Sequence, residues 1–337
     1  MLNRQVRLAA RPVGFPTPEN WQMTTEETPP LETGDVLVKV VYLSLDPAMR
    51  GWMSASRSYI KPVEVGDIMR AGAAGLVIAS QNDRFEEGDW VTGSLGVQEY
   101  FLSKNGKGLT KADTSLGPVL KHLSVLGMTG FTAYFGLLDV GKLNPGEVVV
   151  VSGAAGAVGA VVGQIAKIKG CKVVGIAGGA DKCAYLTNEL GFDTAIDYKA
   201  GNLKASLRQA CPEGIDVYFD NVGGEILDIC LTLLRLHARV VICGAISQYN
   251  SETGAKGPAN YLSLLVNRAR MEGFVVFDYA DRYQQARLEL AAWMKEGKLQ
   301  STEHVVNGSI EDFHNTLMIL YQGDKTGKLL LKIAEEE

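Results

Sequence analysis

The period of apolar and polar positions changes near residue 123. Before it, DVLVKVVYLSL (35–45), AGLVIAS (74–80) and GDWVTGSLGVQEYFLSK (88–104) carry short β-type runs punctuated by Gly, Asp and Pro. That spacing predicts an antiparallel or barrel-like β unit. From Leu123 to Leu143 (LSVLGMTGFTAYFGLLDVGKL) the period becomes helical, with a stop near Gly141 and Pro145. A regular alternation follows: strand EVVVVS, helix AVGAVVGQIAKIK, strand KVVGIA, helix DKCAYLTNEL, strand DTAIDY, helix NLKASLRQA, strand IDVYFDNV, helix EILDICLTLLR and strand ARVVICGA. Repeated β–α units of this length imply an α/β fold with a doubly wound parallel sheet covered by helices on both faces. GFVVF and QQARLELAAWMKEGK add a further strand and helix. The segment from about His304 holds a short helix and the strand GKLLLKI, too little to stand alone, and is expected to return to the first domain.

The stretch Val148–Gly170 has no charged residue until Lys167, which raises the possibility of a membrane span. Gly159 and Gly163 even form the G-x-x-x-G of paired membrane helices. Context favours a strand, a glycine turn and a helix: Lys167 and Lys169 end the run, and the β–α series follows at once. Gly153, Gly156 and Gly159 then have G-x-x-G-x-x-G spacing, suited to a tight turn, a close approach of phosphate to backbone amides, and tight packing of helix on strand. The amides and dipole at that helix start favour a phosphate, so the turn reads as a dinucleotide site.

The second strand of such a fold ends beside the adenosine ribose, where an acidic residue binds the hydroxyls of NAD. Here Gly178 and Gly179 occupy that place, with Lys182 at the start of the next helix and Tyr198 at the end of the next strand. The pattern favours NADP, although Asp181 is an unfavourable neighbour. Read alone, Lys182 also fits a solvated surface lysine and Tyr198 a strand-end aromatic.

The whole-chain numbers narrow the picture. A length of 337 residues suggests two domains. A 46% hydrophobic and 21% charged composition is that of a soluble protein, not a multi-span membrane protein. The net charge of −5, without a run of Lys or Arg, argues against nucleic acid or anionic lipid as a partner. The N-terminus MLNRQVRLAARPVG does not read as a secretory signal, so a cytoplasmic location is expected. Cys171, Cys183, Cys211, Cys230 and Cys243 form no C-x-x-C pair and read as buried reduced thiols.

LSLDPAMRGWM, GMTGFTAYFGLL, SGAAGAVGAVVGQIAKIKGCKVVG, YFDNVGGEILD, CGAISQYN, RMEGFVVFDY and GDKTGKLLLKI together resemble a known family over essentially the whole chain. They are similar to the zinc-independent medium-chain dehydrogenases/reductases, in the leukotriene 12-hydroxydehydrogenase/prostaglandin reductase and plant double-bond reductase branch, and look like a bacterial member. The resemblance implies a GroES-like β-rich domain from both chain ends (1–124 and 304–337), a Rossmann domain between them (125–303), and a homodimer. It implies reduction by NADP(H) of the carbon–carbon double bond of an α,β-unsaturated ketone or aldehyde. The diphosphate is implied at Gly156, Ala157, Val158 and Gly159, and the 2′-phosphate at Lys182 and Tyr198. The nicotinamide side is implied at Asn221, at Cys243, Gly244, Ala245, Ile246, Ser247 and Tyr249, and at the strand Phe274, Val275 and Val276.

Independently of the resemblance, Asn221 and the Cys243–Tyr249 segment follow predicted parallel strands, where open α/β sheets place ligands. Asn221 equally suits a cap on the following helix, and Tyr249 equally suits packing under a long loop. As a chemical role, the Tyr249 hydroxyl would stabilise the enolate oxygen, alongside the ribose hydroxyl of the cofactor, with water as a source of the α-carbon proton. No catalytic metal is expected, because the first domain has no cysteine and His122 is its only histidine before His304. Trp52, Met53, Tyr59, Met128 and Tyr261 are candidates for an apolar substrate pocket, or for plain core. The loop 251–259 reads as a lid. Ala48 stands where many eukaryotic members have a tyrosine, and Lys325 where the family has a cofactor-contacting Asn. A quinone reductase and a low-turnover NADPH-binding sensor are the alternative functions.

Overall fold

A computed structural model describes residues 1–336. The chain forms two compact units, Met1–Leu123 joined by the segment from Glu303 on, and Ser124–Thr302.

The first unit is β-rich. It contains β1 (Leu2–Leu8), β2 (Trp21–Glu27), β3 (Val36–Ser44), β4 (Gly72–Ser80), β5 (Trp90–Gly93), β6 (Tyr100–Ser103) and β7 (Leu109–Lys111), with the short helices α1 (Met49–Trp52) and α2 (Val119–His122). The chain end adds β14 (Glu303–Asn307), α10 (Phe313–Gln322) and β15 (Lys328–Lys332). A seven-stranded sheet runs β14-β15-β3-β4-β5-β7, and β6 also pairs with β3. The C-terminal segment therefore returns as expected: β15 lies antiparallel on β3, with Leu331 opposite Leu43. Val36, Val38, Val40, Leu43, Leu329 and Leu331 share one core with Leu317 and Phe313 of α10. β1 and β2 form a separate two-stranded hairpin that the apolar pattern does not announce, because β2 is mostly exposed and polar. Lys328 is 2% exposed and donates to the Leu45 carbonyl at 2.8 Å and to Asp46 at 2.6 Å. A buried ammonium of this kind is tolerated only with such partners.

The second unit holds α3 (Met128–Phe135), β8 (Val148–Ser152), α4 (Ala157–Ile168), β9 (Lys172–Ala177), α5 (Ala180–Asn188), β10 (Thr194–Asp197), α6 (Leu203–Ala210), β11 (Ile215–Asp220), α7 (Gly224–Leu231), β12 (Leu234–Ile242), α8 (Ser263–Val266), β13 (Arg270–Gly273) and α9 (Tyr283–Lys295). Its six strands are ordered β10-β9-β8-β11-β12-β13 and all run parallel. The order reverses between β8 and β11, and the carboxyl ends of those strands form the usual ligand crevice of such sheets. Val149, Val150 and Val151 are fully buried, which accounts for the unbroken apolar run.

Two expected elements differ. The helical stretch from Leu123 is broken: α2 ends at His122, α3 begins at Met128, and it widens into a π-turn over Gly136–Val140, where the Gly141 amide reaches the Gly136 carbonyl at 2.9 Å. The strand expected over GFVVF ends at Gly273, and Phe274, Val275 and Val276 lead into a short 3₁₀ helix, Val276–Arg282. Gly273 pairs with Ile242, the last residue of β12. Beyond it the amides of Cys243 and Gly244 both donate to the Asp220 carbonyl, so the amide next in turn on the β13 side is lost to that edge and no ladder remains for residues 274–276 to join.

Candidate functional site

The crevice begins where β8 ends. The chain turns at Gly153, whose φ is +58°, and α4 starts after Gly156 with no side-chain cap and no acidic residue in its first turn. The first amides of a helix have no intrahelical acceptor. No side chain takes those of Ala157, Val158 and Gly159, at the positive end of a 12-residue helix, a geometry that suits an anion. Gly159 is what makes the turn this tight. A Cβ there would lie 2.4 Å from the Gly153 carbonyl oxygen and 2.8 Å from Ala154 Cα.

A buried carboxylate that the sequence reading overlooked joins the two central strand ends. Asp220, 1% exposed, accepts hydrogen bonds through Oδ1 from Ser152 Oγ (2.9 Å), Tyr218 Oη (2.7 Å) and the amides of Val222 (3.0 Å) and Gly223 (2.9 Å). Four donors on one oxygen are how a buried negative charge is made tolerable. Burial first, then the neighbouring charges of Cys230 and Asp220, hold the Tyr218 phenol far above its ordinary value, so it remains a donor. Asn221 follows. Its amide donates to Ser152 Oγ at 3.0 Å, and its Nδ2 donates to the Ser152 carbonyl at 2.8 Å. The N-cap of α7 is Gly223, so Asn221 does not cap that helix. The available signal was an acid ending an otherwise apolar strand, YFD, directly before NVGG.

The segment after β12 is fastened to the segment after β11. The amides of Cys243 and Gly244 donate to the Asp220 carbonyl (2.9 and 3.1 Å), that of Ile246 to Asn221 (3.2 Å) and that of Ser247 to Val222 (3.2 Å). Ser247 Oγ adds a bond to the Val222 carbonyl at 2.6 Å. The Tyr249 hydroxyl oxygen accepts the Ala245 amide at 3.1 Å, which fixes the ring against its own loop. Asn250 Oδ1 is buried without a hydrogen-bond partner, an acceptor left open beside Tyr249. Burial, reinforced by the Asp220 charge, pushes the Cys243 thiol up to about 12, which keeps it neutral and unreactive. The Phe274 ring packs within 2.5 Å of where a Cβ on Gly136 would sit, and with Phe219 it fills the floor under that position.

At the end of β9 the structure brings Tyr198 to Gly178. The phenol oxygen and Lys199 Cε lie 3.1 and 3.0 Å from the position of a Cβ on Gly178. Lys199 was missed as a candidate because it sits one residue past the predicted strand end. The carboxylate beside the second glycine is Asp197, which accepts the Gly179 amide at 2.8 Å and the Lys199 amide at 2.9 Å. Those two bonds, in that order, lower its pKa. Lys182 lies in the first turn of α5, behind Gly179 as N-cap.

The substrate-wall candidates divide between the units. Met53 is fully buried in the β-rich core, while Trp52 is partly buried against the same core. Tyr59 is 60% exposed; in the other unit Met128 is 47% and Tyr261 57% exposed. Lys325 donates to the Gly327 carbonyl at 2.6 Å within its own turn. Among the described residues there is no group of three or more His, Cys, Asp or Glu that could hold a metal ion, and no helix long and apolar enough to cross a membrane.

The glycine cradle and its uncapped helix start fit the diphosphate of a dinucleotide, and at the end of β9 a Cβ on Gly179 would face open space. Residues 4–112 match a family model described as the N-terminal domain of oxidoreductase, and 157–293 match one described as zinc-binding dehydrogenase. All five cysteines of this chain lie between Cys171 and Cys243, outside the β-rich unit. The chain is 42% identical to the NADPH-dependent curcumin reductase of Escherichia coli over 99% of its length and 98% of the relative's. It is 44% identical to prostaglandin reductase 1 of Mus musculus over 95% of both chains. The crystal structure of CurA from Vibrio vulnificus in complex with NADPH superposes with a TM-score of 0.92 at 42% identity, covering 98% of this chain and 99% of that one. With the glycine turn, the strand order and the two fastened loops in place, the chain belongs to the medium-chain dehydrogenase/reductase family, in the branch that includes prostaglandin reductase 1 and NADPH-dependent curcumin reductase.

Proposed function

We propose that this protein is an NADPH-dependent reductase of the carbon–carbon double bond of α,β-unsaturated ketones and aldehydes, working without zinc as a cytoplasmic homodimer. The observation that carries the reading is the single hydrogen-bonded block formed by residues 220–222 and 243–249 at the carboxyl edge of the sheet, to which the Tyr249 hydroxyl is fixed through the Ala245 amide. Identities above 40% with a curcumin reductase and a prostaglandin reductase, over nearly all of each chain, support it.

NADPH, when bound, supplies a hydride to the β-carbon of the substrate. The residues of this chain do the rest. The amides of Ala157, Val158 and Gly159 would hold the diphosphate, and Lys182, Tyr198 and Lys199 the 2′-phosphate. Asn221, clamped on Ser152 by two hydrogen bonds, would border the nicotinamide. Phe274, Val275 and Val276 would border it as an irregular apolar segment. As the hydride arrives, negative charge grows on the substrate carbonyl oxygen, and the Tyr249 hydroxyl donates to it. Because the Ala245 amide already fixes that oxygen, little reorganisation is needed at the moment of reaction. A proton then reaches the α-carbon from water, completing addition of H₂ across the double bond.

The test is NADPH oxidation by metal-free protein against 2-alkenals, benzylideneacetone, a prostaglandin-type enone and quinones, with NADH in parallel and products identified by mass. Saturated carbonyl products made with NADPH are expected. Turnover of quinones alone would replace this reading, and tight NADPH binding without turnover of any substrate would mark a sensor.

A further inference from the structure

At the opposite, N-terminal edge of the parallel sheet lies a cavity of ≈ 360 Å³ lined by Lys142, Asn144, His237, Arg239, Arg268 and Arg270. Four of the six are permanent cations. Arg239 is the fixed wall: its guanidinium is bound by Glu147 and by the carbonyls of Gly141 and Lys142. Glu147 is thereby committed to Arg239. Arg270 donates to the Val140 carbonyl, and its Nε is buried without a hydrogen-bond partner, with the Glu272 carboxylate 3.8 Å away. No ion pair joins Lys142 or Arg268 to a carboxylate among the described residues.

The backbone supplies a second, independent observation. Lys142, His237 and Arg268 adopt φ of +46°, +63° and +47°, a region that residues bearing a Cβ seldom enter. Five non-glycine residues among those described do so, and three of them line this one cavity. The conformations are held from outside the side chains: the His237 amide donates to the Asn267 carbonyl at 2.8 Å, and the Arg268 amide to Leu265 at 3.2 Å. Unfavourable backbone concentrated around one concavity is characteristic of ligand clamps.

We propose that this cavity binds the phosphate chain of a polyphosphate, either free inorganic polyphosphate or the triphosphate of a nucleotide. A compact ligand with several adjacent negative charges engages Lys142, Arg268 and Arg270 together, whereas one phosphate group reaches only part of the set. The cavity opens to solvent, so an organic remainder of the ligand stays outside it.

The full-length protein, saturated with NADPH so that the glycine cradle is filled, is titrated calorimetrically with tripolyphosphate, ATP and orthophosphate at low salt. Saturable binding of tripolyphosphate is expected, much tighter than that of orthophosphate. The double variant K142N/R268N keeps residues that tolerate positive φ while removing two charges, and should weaken binding by at least about tenfold. Equal affinity for ATP and tripolyphosphate assigns recognition to the phosphate chain, and tighter ATP assigns it to a nucleotide; both support the site. Absence of saturable binding, or binding undiminished in K142N/R268N, overturns it. Hydrogen exchange on the unaltered protein gives a variant-free check: tripolyphosphate should protect residues 140–145, 236–240 and 266–270, and protection confined to other segments overturns the assignment.

Discussion

The two edges of the six-stranded sheet are built from opposite chemistry. At the carboxyl edge the open groups at the start of α4 are backbone amides, glycines take the place of side chains, and the buried Asp220 carboxylate is held internally by four donors. At the amino edge the work is done by side-chain charges: Arg239 with Glu147, Arg235 with Asp216, and the cations around the cavity. The difference teaches that a parallel sheet has two ways to meet negative charge. Helix dipoles and orphan amides all point one way, so only the carboxyl edge gets them free of side chains. The amino edge must use Lys and Arg, which brings ion pairing and salt dependence with it.

Breaking the pair at the amino edge should have the largest effect. Arg239→Met leaves Glu147, 17% exposed at its side chain, without its partner, and is expected to cost about 3 kcal/mol or more in urea unfolding. Glu147 is pushed up by burial, but its bonds to Arg239 and Asn144 outweigh that and set its pKa below the ordinary value. A depressed carboxylate stabilises above its unfolded pKa and loses that contribution as pH falls through the folded value. The gap between wild type and variant should therefore be full at neutral pH and close below about pH 4. A gap that persists in acid would show that packing, not charge, holds this edge.

Gly159→Ala tests the carboxyl edge in the same terms. The added methyl meets backbone atoms at 2.4 and 2.8 Å, which cannot swing aside, so a cost of roughly 1 to 3 kcal/mol is expected together with loss of NADPH affinity by fluorescence titration. Unchanged affinity would remove the cradle from the cofactor site. Tyr249→Phe should lower kcat by about tenfold to a hundredfold with NADPH affinity nearly constant, as expected of a donor used in the transition state. An equal loss of cofactor affinity would make it a structural loop residue instead.

Lys182→Ala sharpens the comparison, because it asks whether the amide-built edge also leans on a side-chain charge. Affinity for NADPH should fall about tenfold relative to NADH; equal losses for both cofactors would sink the 2′-phosphate assignment. The smallest effect is expected from chelator treatment, which should leave activity unchanged, and a loss restored by zinc would return the chain to metal-dependent chemistry.

The alternating apolar runs from Val148 to Ala245 were sufficient to read the parallel sheet, the glycine turn after β8 and the place of Asn221 and Tyr249, because strand period, helix period and glycine spacing are local properties of the chain. The return of the C-terminal strand was also legible, since GKLLLKI is too apolar to remain unpaired. Tertiary structure decided the rest. It alone put Asp220 against Ser152, residues 68 apart, and so clamped Asn221. It alone ended β13 at Gly273, since a ladder needs a neighbour and the Gly244 amide, next on the β13 side, turns back to the Asp220 carbonyl. It buried Met53 completely, left Tyr59 exposed, and gathered Lys142, His237, Arg268 and Arg270 around one cavity from three distant segments. Sequence carries the conformations that neighbours along the chain impose; which polar groups share a buried partner, and which charges face one another, depends on contacts across the chain that no local pattern records.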